Sequence, residues 1–417
     1  MVARQKRDPA KMLVSAVMLF FFSAFFLISL KESPVNWEGL LLAGVVPILI
    51  WVSTMVLPKL FPADKLLLAL TNFLCALGVL ILYSTLPERG LQQALHYGVG
   101  IGAMLICILV VRMIRRWKPL IFLLFPLSIG ALALPLVIGS EINGAQNWIF
   151  ISGISVQPSE IVKLSLLLVL AYYMSQHRML PWLAFSAGCL GLLMLQKDLG
   201  TALLYYATAL FLYYASSSNL PITLMGIGGG AGAAVGGYVM FAHVKKRVAI
   251  WLNPWSDYDN AGFQIIQSLI AIASGGLFGM GLGLGAPRVI PVYYTDCIFA
   301  VICEQFGILF GLCVLLMYVA LVIRGVSIAV NCRESFYALL AMGCTVMLGV
   351  QTFVIIGGVI KLIPLTGVTM PFVSYGGTSL VSSMSLIGLL QGVASRNEDA
   401  IKEDTRLAKL GADEGFA

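Results

Sequence analysis

One aspartate, one glutamate–lysine pair and one basic cluster are the groups in this chain best placed to do chemistry. Asp296 follows Tyr294 and Thr295 and stands at the mouth of a long apolar run. A carboxylate there is costly unless it is paired or used, and its use would be as a general base. Desolvation would raise its pKa, and a lysine brought close would pull it back down. Glu160 and Lys163 lie in Gln157-Pro158-Ser159-Glu160-Ile161-Val162-Lys163. Pro158 suits the first turn of a helix, and Glu160 near that N-terminus is favoured by the helix dipole. Lys163, three residues on, has Glu160 as a local partner, while an acid from another segment would be the functional one. Lys245, Lys246, Arg247 and Arg288 surround the segment before Asp296. Together they suit an anionic ligand such as a lipid diphosphate. Glu304, roughly 12 Å further along the same helix if the helix is continuous, is expected to pair structurally inside the bundle.

These groups need elements to position them, and composition says which kind. The 417 residues are 59% hydrophobic and only 11% charged, against roughly 25% charged in a soluble domain. The chain therefore reads as an integral membrane protein, which excludes soluble enzyme classes. No cleavable signal is expected, because the first apolar run lacks a small-residue cleavage site. The eight cysteines form no CxxC pair and lie in or beside apolar runs, so they read as apolar fillers rather than a zinc site or disulfide framework. A bilayer span needs about 20 mostly apolar residues. Twelve candidates follow: 12–30, 37–57, 66–86, 95–112, 119–138, 161–175, 181–196, 199–215, 220–242, 297–323, 335–360 and 379–394. The expected fold is an all-α polytopic membrane helix bundle.

Positive charge orients that bundle. With both termini cytoplasmic, most of the 26 lysines and arginines fall inside, including Arg4, Lys6, Arg7, Arg115, Arg116, Arg324, Arg333 and Arg396. Of the exceptions, Lys31 and Arg89 sit beside Glu32 and Glu88 and read as solvated caps. The others cluster in or beside the outer segments 139–163, 196–201, 243–296 and 361–378, which also hold Glu141, Glu160, Asp198, Asp257, Asp259 and Asp296. Chemistry is thus expected on the outer face. Asp198 reads as a cap of the helix after it. The run Gly275 to Gly285 has nucleotide-loop spacing but no preceding strand, so it reads as close packing or a re-entrant turn.

In order, the motifs are GAxxWI (from Gly144), QPSExxKL (from Gln157), DLGT (from Asp198), NPWxD (from Asn253) followed by GxQxxQSLxAxxSGGxxGxGLG, TDxIFAxxxExxG (from Thr295) and PxTGxxxPFxSYGG (from Pro364). Their order and spacing resemble the SEDS family of FtsW, RodA and SpoVE, over about residues 64–396. Asn147 stands where that family usually has arginine, Lys197 replaces a proline, Tyr294 a histidine and Cys303 a glycine. The resemblance implies residues 1–63 as an extra pair of helices, 64–396 as the core with a large outer loop 243–296, and 397–417 as a cytoplasmic tail. It implies a peptidoglycan glycosyltransferase that polymerises lipid II at the outer face of the bacterial cytoplasmic membrane, in division, elongation or sporulation. Asp296 would be the base and Lys163 its partner across the cavity. Substrate contacts would come from Glu160, Trp148, Arg247, Lys245, Lys246, Arg288, Asp257, Gln264, Ser374 and Tyr375. Expected partners are lipid II and undecaprenyl-linked glycan, a class B penicillin-binding transpeptidase, the division or elongation complex and the membrane, with no nucleic acid. A divalent cation, Mg2+ or Mn2+, bridging diphosphate and carboxylate is expected, although no closed metal cage is formed. The competing readings are a flippase for lipid-linked precursors, which would carry polar groups near the midplane, and a scaffold that only recruits a transpeptidase.

Overall fold

A computed structural model describes residues 9–31, 36–142, 144–151, 154–258 and 260–414. Arg4, Lys6, Arg7, Glu32 and Asp259 lie outside the described residues. Each of the twelve expected spans coincides with a helix. The extra pair is α1 (Pro9–Lys31) and α2 (Trp37–Trp51), the latter running through a π-helical turn into α3 (Leu57–Leu60). The core follows as α4 (Lys65–Thr85), α5 (Pro87–Met113), α6 (Lys118–Ile138), α7 (Pro158–Ser175), α8 (Met179–Leu195), α9 (Leu199–Ser217) and α10 (Leu220–Met240). The outer elements α11 (Ala242–Leu252) and α12 (Ala261–Gly275) precede α13 (Ile298–Val330), α14 (Ser335–Val359) and α15 (Gly377–Glu414). Among the described residues 10 helices are long and apolar enough to cross a membrane. The helix Met179–Leu195 is shorter, at 17 residues.

Local chemistry sets the helix starts. The Asp64 carboxylate accepts from Leu67 N at 2.9 Å, Asp198 accepts from Thr201 N at 3.1 Å and Asn219 accepts from Ile222 N at 3.1 Å. Each satisfies a donor that helix geometry leaves orphaned. Burial then sorts the spans. In α4 and α15, 78% of the membrane-length window is inside the protein, against 11% in α10. So α4, α7, α14 and α15 form the interior, and α10 is an edge helix facing lipid.

Three features differ from the sequence expectation. The outer segment 139–163 is not all coil and helix: β1 (Ser140–Ile142), β2 (Ala145–Ile151) and β3 (Ile154–Val156) form a small antiparallel sheet in the order β1-β2-β3. Its middle strand alternates, with Asn147 and Ile149 buried and Phe150 exposed, the period-two pattern of a half-buried strand. The large outer loop 243–296 is partly helical, because α11 and α12 occupy it, joined by a short 3-10 turn at Pro254–Asp257. The expected tail 397–417 continues α15 without a break to Glu414.

The glycine-rich run is a close-packed turn against α13. Gly307 holds φ 85° and ψ 166° inside that helix and kinks it. Backbone groups freed by the kink are taken up by the run: Met280 N donates to Glu304 O at 2.9 Å and Ile308 N to Gly276 O at 2.9 Å. A side chain at Gly307 would place its Cβ 2.3 Å from Leu277 O, and that backbone region is open essentially to glycine alone.

Candidate active site

Asp296 lies two residues ahead of α13, in the turn before Ile298, and not on the helix. The helical spacing to Glu304 assumed from sequence therefore does not apply. Its side chain is half-buried. Desolvation pushes its pKa from 3.8 up to about 6, while the Thr295 hydroxyl and the Arg247 charge pull the other way. The cation acting on Asp296 is thus Arg247 rather than Lys163. Arg247 comes from α11 and is anchored by Nη1 donating to Thr366 O at 2.9 Å. The next residue, Gly367, has its Cα beside the Asp296 carboxylate: a Cβ there would sit 3.9 Å from Oδ2. The loop 361–376 therefore joins the base and the cation at one point.

The second half of that loop is packed into the interior. Phe372 and Val373 are 1% and 0% exposed, and Gly78 of α4 lies so close that a Cβ would be 2.6 Å from Val373 O. Ser374 Oγ donates to Thr295 O at 2.5 Å and accepts from Met370 N at 2.9 Å. Tyr375 N donates to Tyr294 O at 2.8 Å. Ser374 and Tyr375, expected to touch substrate, here position the backbone of the two residues that precede Asp296. The first turns of α5 brace them: Gln93 Nε2 donates to Ser374 O at 3.0 Å, and the Arg89 guanidinium lies 3.4 Å from the centre of the Tyr294 ring and 5.1 Å from that of Tyr375. Arg89 is therefore not a solvated cap. Lys31 is exposed in the last turn of α1, as expected, and its Nζ also donates to Gly283 O at 3.1 Å.

Lys163 is placed elsewhere. It is fully buried, with Nζ donating to Glu160 Oε2 at 2.7 Å and to Gln351 Oε1 at 3.0 Å. Ser382 Oγ donates to the same Glu160 oxygen at 2.5 Å, and Gln351 Nε2 donates to Thr369 O at 2.8 Å. A charged pair without water is tolerable only when its remaining hydrogen bonds are made, and here α14 and α15 make them. The expected contact across the cavity between Lys163 and Asp296 is replaced by a chain through Gln351 and Thr369 into the 361–376 loop.

The remaining expected residues divide by position. Lys245 and Lys246 are exposed on α11, and Lys246 meets Asp257 at 3.7 Å. Gln264 of α12 donates to Cys297 Sγ at 3.4 Å, next to Asp296. Trp148 sits half-buried on β2, across from Ser140. Arg288 is exposed, and its Nη2 and Nε donate to Thr85 O at 2.8 and 3.3 Å, capping the last turn of α4. Glu304 is buried with Oε1 accepting from Ala286 N at 2.9 Å, so its expected pairing is with the glycine-rich turn. Asp198 caps α9 as expected and also accepts from Asn147 Nδ2 at 2.8 Å, tying β2 to that helix. Among the described residues no three His, Cys, Asp or Glu side chains cluster to hold a metal.

Sequence reasoning missed Arg89, Gln351, Ser382 and Thr366. Gln351 carried a readable signal, an amide in the middle of an apolar run. Arg89 was masked by the acid next to it.

The comparisons with known proteins fall on the region that holds this geometry. The family model described as cell cycle protein, FtsW/RodA/SpoVE, matches residues 64–399. The peptidoglycan glycosyltransferase RodA of Mycobacterium tuberculosis H37Rv is 34% identical over 326 residues, covering 73% of this chain and 70% of its own. Stage V sporulation protein E of Bacillus subtilis is 32% identical over 356 residues, covering 79% of this chain and 96% of its own. Among solved structures, the rod shape determining protein RodA of Thermus thermophilus has a TM-score of 0.61 at 28% identity, covering 82% of this chain and 99% of its own. A chain of a peptidoglycan synthase complex that coordinates polymerisation and crosslinking reaches 0.66 at 27% identity, covering 80% of this chain and 98% of its own.

Proposed function

This chain belongs to the FtsW/RodA/SpoVE family, and from that membership we propose that Asp296 is the general base of its glycosyl transfer. The chain is a multi-pass bacterial membrane protein and a peptidoglycan glycosyltransferase acting in cell shape, division or sporulation. Its substrate is the lipid-linked disaccharide lipid II. The 4-hydroxyl oxygen of the incoming sugar forms a bond to the anomeric carbon of the growing glycan. The bond from that carbon to undecaprenyl diphosphate breaks, and the diphosphate leaves with the electron pair. Asp296 takes the hydroxyl proton, and Arg247 stands where it can face the charge building on the diphosphate.

The observation that carries this reading is the state of Asp296: half-buried, raised to about 6 and within the field of the Arg247 charge. A base works best with a pKa near operating pH, and an ordinary exposed aspartate would be a poor one. Placement supports the enzyme over the carrier, since the reactive groups lie on outer loops ahead of α13 and not at mid-span. A Mg2+ or Mn2+ would be held by Asp296 only with diphosphate oxygens completing the shell, as Mg2+ commonly is. It would supply charge neutralisation there. A class B penicillin-binding transpeptidase is the partner that fits the synthase-complex neighbour.

The test is polymerisation of lipid II by purified protein, alone and with that transpeptidase, with and without EDTA. Asp296→Ala should give no glycan polymer while the folded protein and its partner binding persist. Polymer of normal length from that variant would refute the assignment of the base. Unchanged polymerisation in EDTA would remove the metal.

A further inference from the structure

The far end of the bundle carries a second site. A cleft of about 210 Å3 opens where the α5–α6 link, the end of α7 and the start of α14 meet the middle of α15 at Arg396, the face that the charge bias assigns to the cytoplasm. Its walls include Arg115, Trp117, Tyr172, Glu334, Tyr337 and Arg396. Trp117 Nε1 donates to Tyr337 OH at 3.0 Å, which fixes an aromatic floor. The Arg396 guanidinium lies 4.6 Å from the centre of the Tyr337 ring. Its Nη1 donates to Ile114 O at 3.5 Å, which ties α15 to the α5–α6 link.

Charge in the cleft is unbalanced. Two guanidinium groups face one carboxylate, and that of Glu334 is 3.9 Å from Arg396 Nε with its side chain 64% exposed. This is a loose pair, so Arg396 keeps donors to spare. Guanidinium forks match phosphate oxygens, and basic pockets between spans on the cytoplasmic side suit lipid headgroups. Tryptophan and tyrosine prefer the same depth, the membrane–water interface. Beside the cleft, Met113 at 75% and Phe122 at 77% exposed leave apolar surface on α5 and α6 for acyl chains.

We propose that this cleft binds the phosphate of an anionic phospholipid of the inner leaflet. The acyl chains argue for a lipid over free phosphate, because the cleft opens beside membrane-facing apolar surface. The site shares no residue with the outer one. Its lipid nonetheless bridges α7, α14 and α15, which carry Lys163, Gln351 and Ser382 at their outer halves.

The experiment is native mass spectrometry of the full chain in detergent, with phosphatidylglycerol or phosphatidylethanolamine added at equal concentration. Wild type should retain phosphatidylglycerol preferentially. Arg115→Gln and Arg396→Gln should each lower retention about tenfold, the loss expected for one hydrogen bond to a charged group. Arg116→Gln, an exposed neighbour outside the cleft, should retain it. Arg115 is exposed, so its variant folds even if the Arg396 variant does not. Equal phosphatidylglycerol adducts in wild type and Arg115→Gln would overturn the proposal. Displacement of the lipid by millimolar inorganic phosphate alone would also overturn it, in favour of a soluble anion.

Discussion

Asp296 lies beside Gly367 and feels the charge of Arg247, which is anchored on the neighbouring Thr366 carbonyl, and the pH response follows from that field. A base must be ionised to work. With its pKa near 6 instead of 3.8, Asp296 loses the active form as pH falls through about 6, so polymerisation should decline there about tenfold per further unit. Arg247 favours the carboxylate, so removing its charge raises that pKa further. In Arg247→Gln the acid limb of the pH–rate profile should move to higher pH, read from initial rates between pH 5 and 8. A limb that stays in place would show that Arg247 does not act on Asp296. Arg89 works at the same scale by different means: its guanidinium, 3.4 Å from the centre of the Tyr294 ring, orients the residue two before the base. A tyrosine at this position offers an aromatic face for that cation.

The elements hold the site through two devices, a buried polar chain and a helix kink. The chain links α7, α14 and α15 through Glu160, Lys163, Gln351 and Ser382. Replacing Lys163 with methionine strands the Glu160 carboxylate in the core, which costs on the order of 3–5 kcal/mol. Adding Glu160→Gln removes the stranded charge, so the double variant should recover most of the thermal stability in detergent without recovering full activity. If the double variant melts as low as the single one, Lys163 is held by shape and not by charge. The kink depends on Gly307. Alanine there forces Cβ into Leu277 O and a backbone region costing about 1–3 kcal/mol. Gly307→Ala should therefore unfold earlier in a thermal melt and loosen the glycine-rich turn, read as faster proteolysis between Gly275 and Arg288. Wild-type melting would mean the turn can shift to accept a side chain.

At the scale of the whole molecule, sidedness decides which chemistry each end can meet. Outer loops hold Asp296, and the inner end holds the cleft at Arg396 together with Arg112–Asp399 at 2.8 Å and Arg324–Asp64 at 2.6 Å. A membrane-impermeant maleimide should label Tyr258→Cys in intact cells above the wild-type background. It should label Ala400→Cys only after the membrane is opened. Labelling of Ala400→Cys in intact cells would invert the topology and remove Asp296 from the outer face. The extra pair α1 and α2 joins this frame through Phe20 and Phe21 against Phe73 of α4, at 6.3 and 5.3 Å between ring centres, and through Lys31 on the glycine-rich turn.

What the sequence determined by itself was whatever depends on local composition and order. Apolar runs of membrane length and the ordered motifs were enough for the twelve helices and the residue most worth testing, Asp296. Caps were legible too, since Asp198 acts on its own next turn. Partnerships across the bundle were left to the tertiary structure. Lys163 could have met either Glu160 or Asp296, and only the packing of α14 and α15 settled it by bringing Gln351 and Ser382 to the first pair. Arg288 and Arg89 carried the same charge in the sequence, yet one caps α4 and the other braces Tyr294. The reason is physical: a charge in an apolar chain announces that it needs a partner, but the partner is chosen by which helices touch.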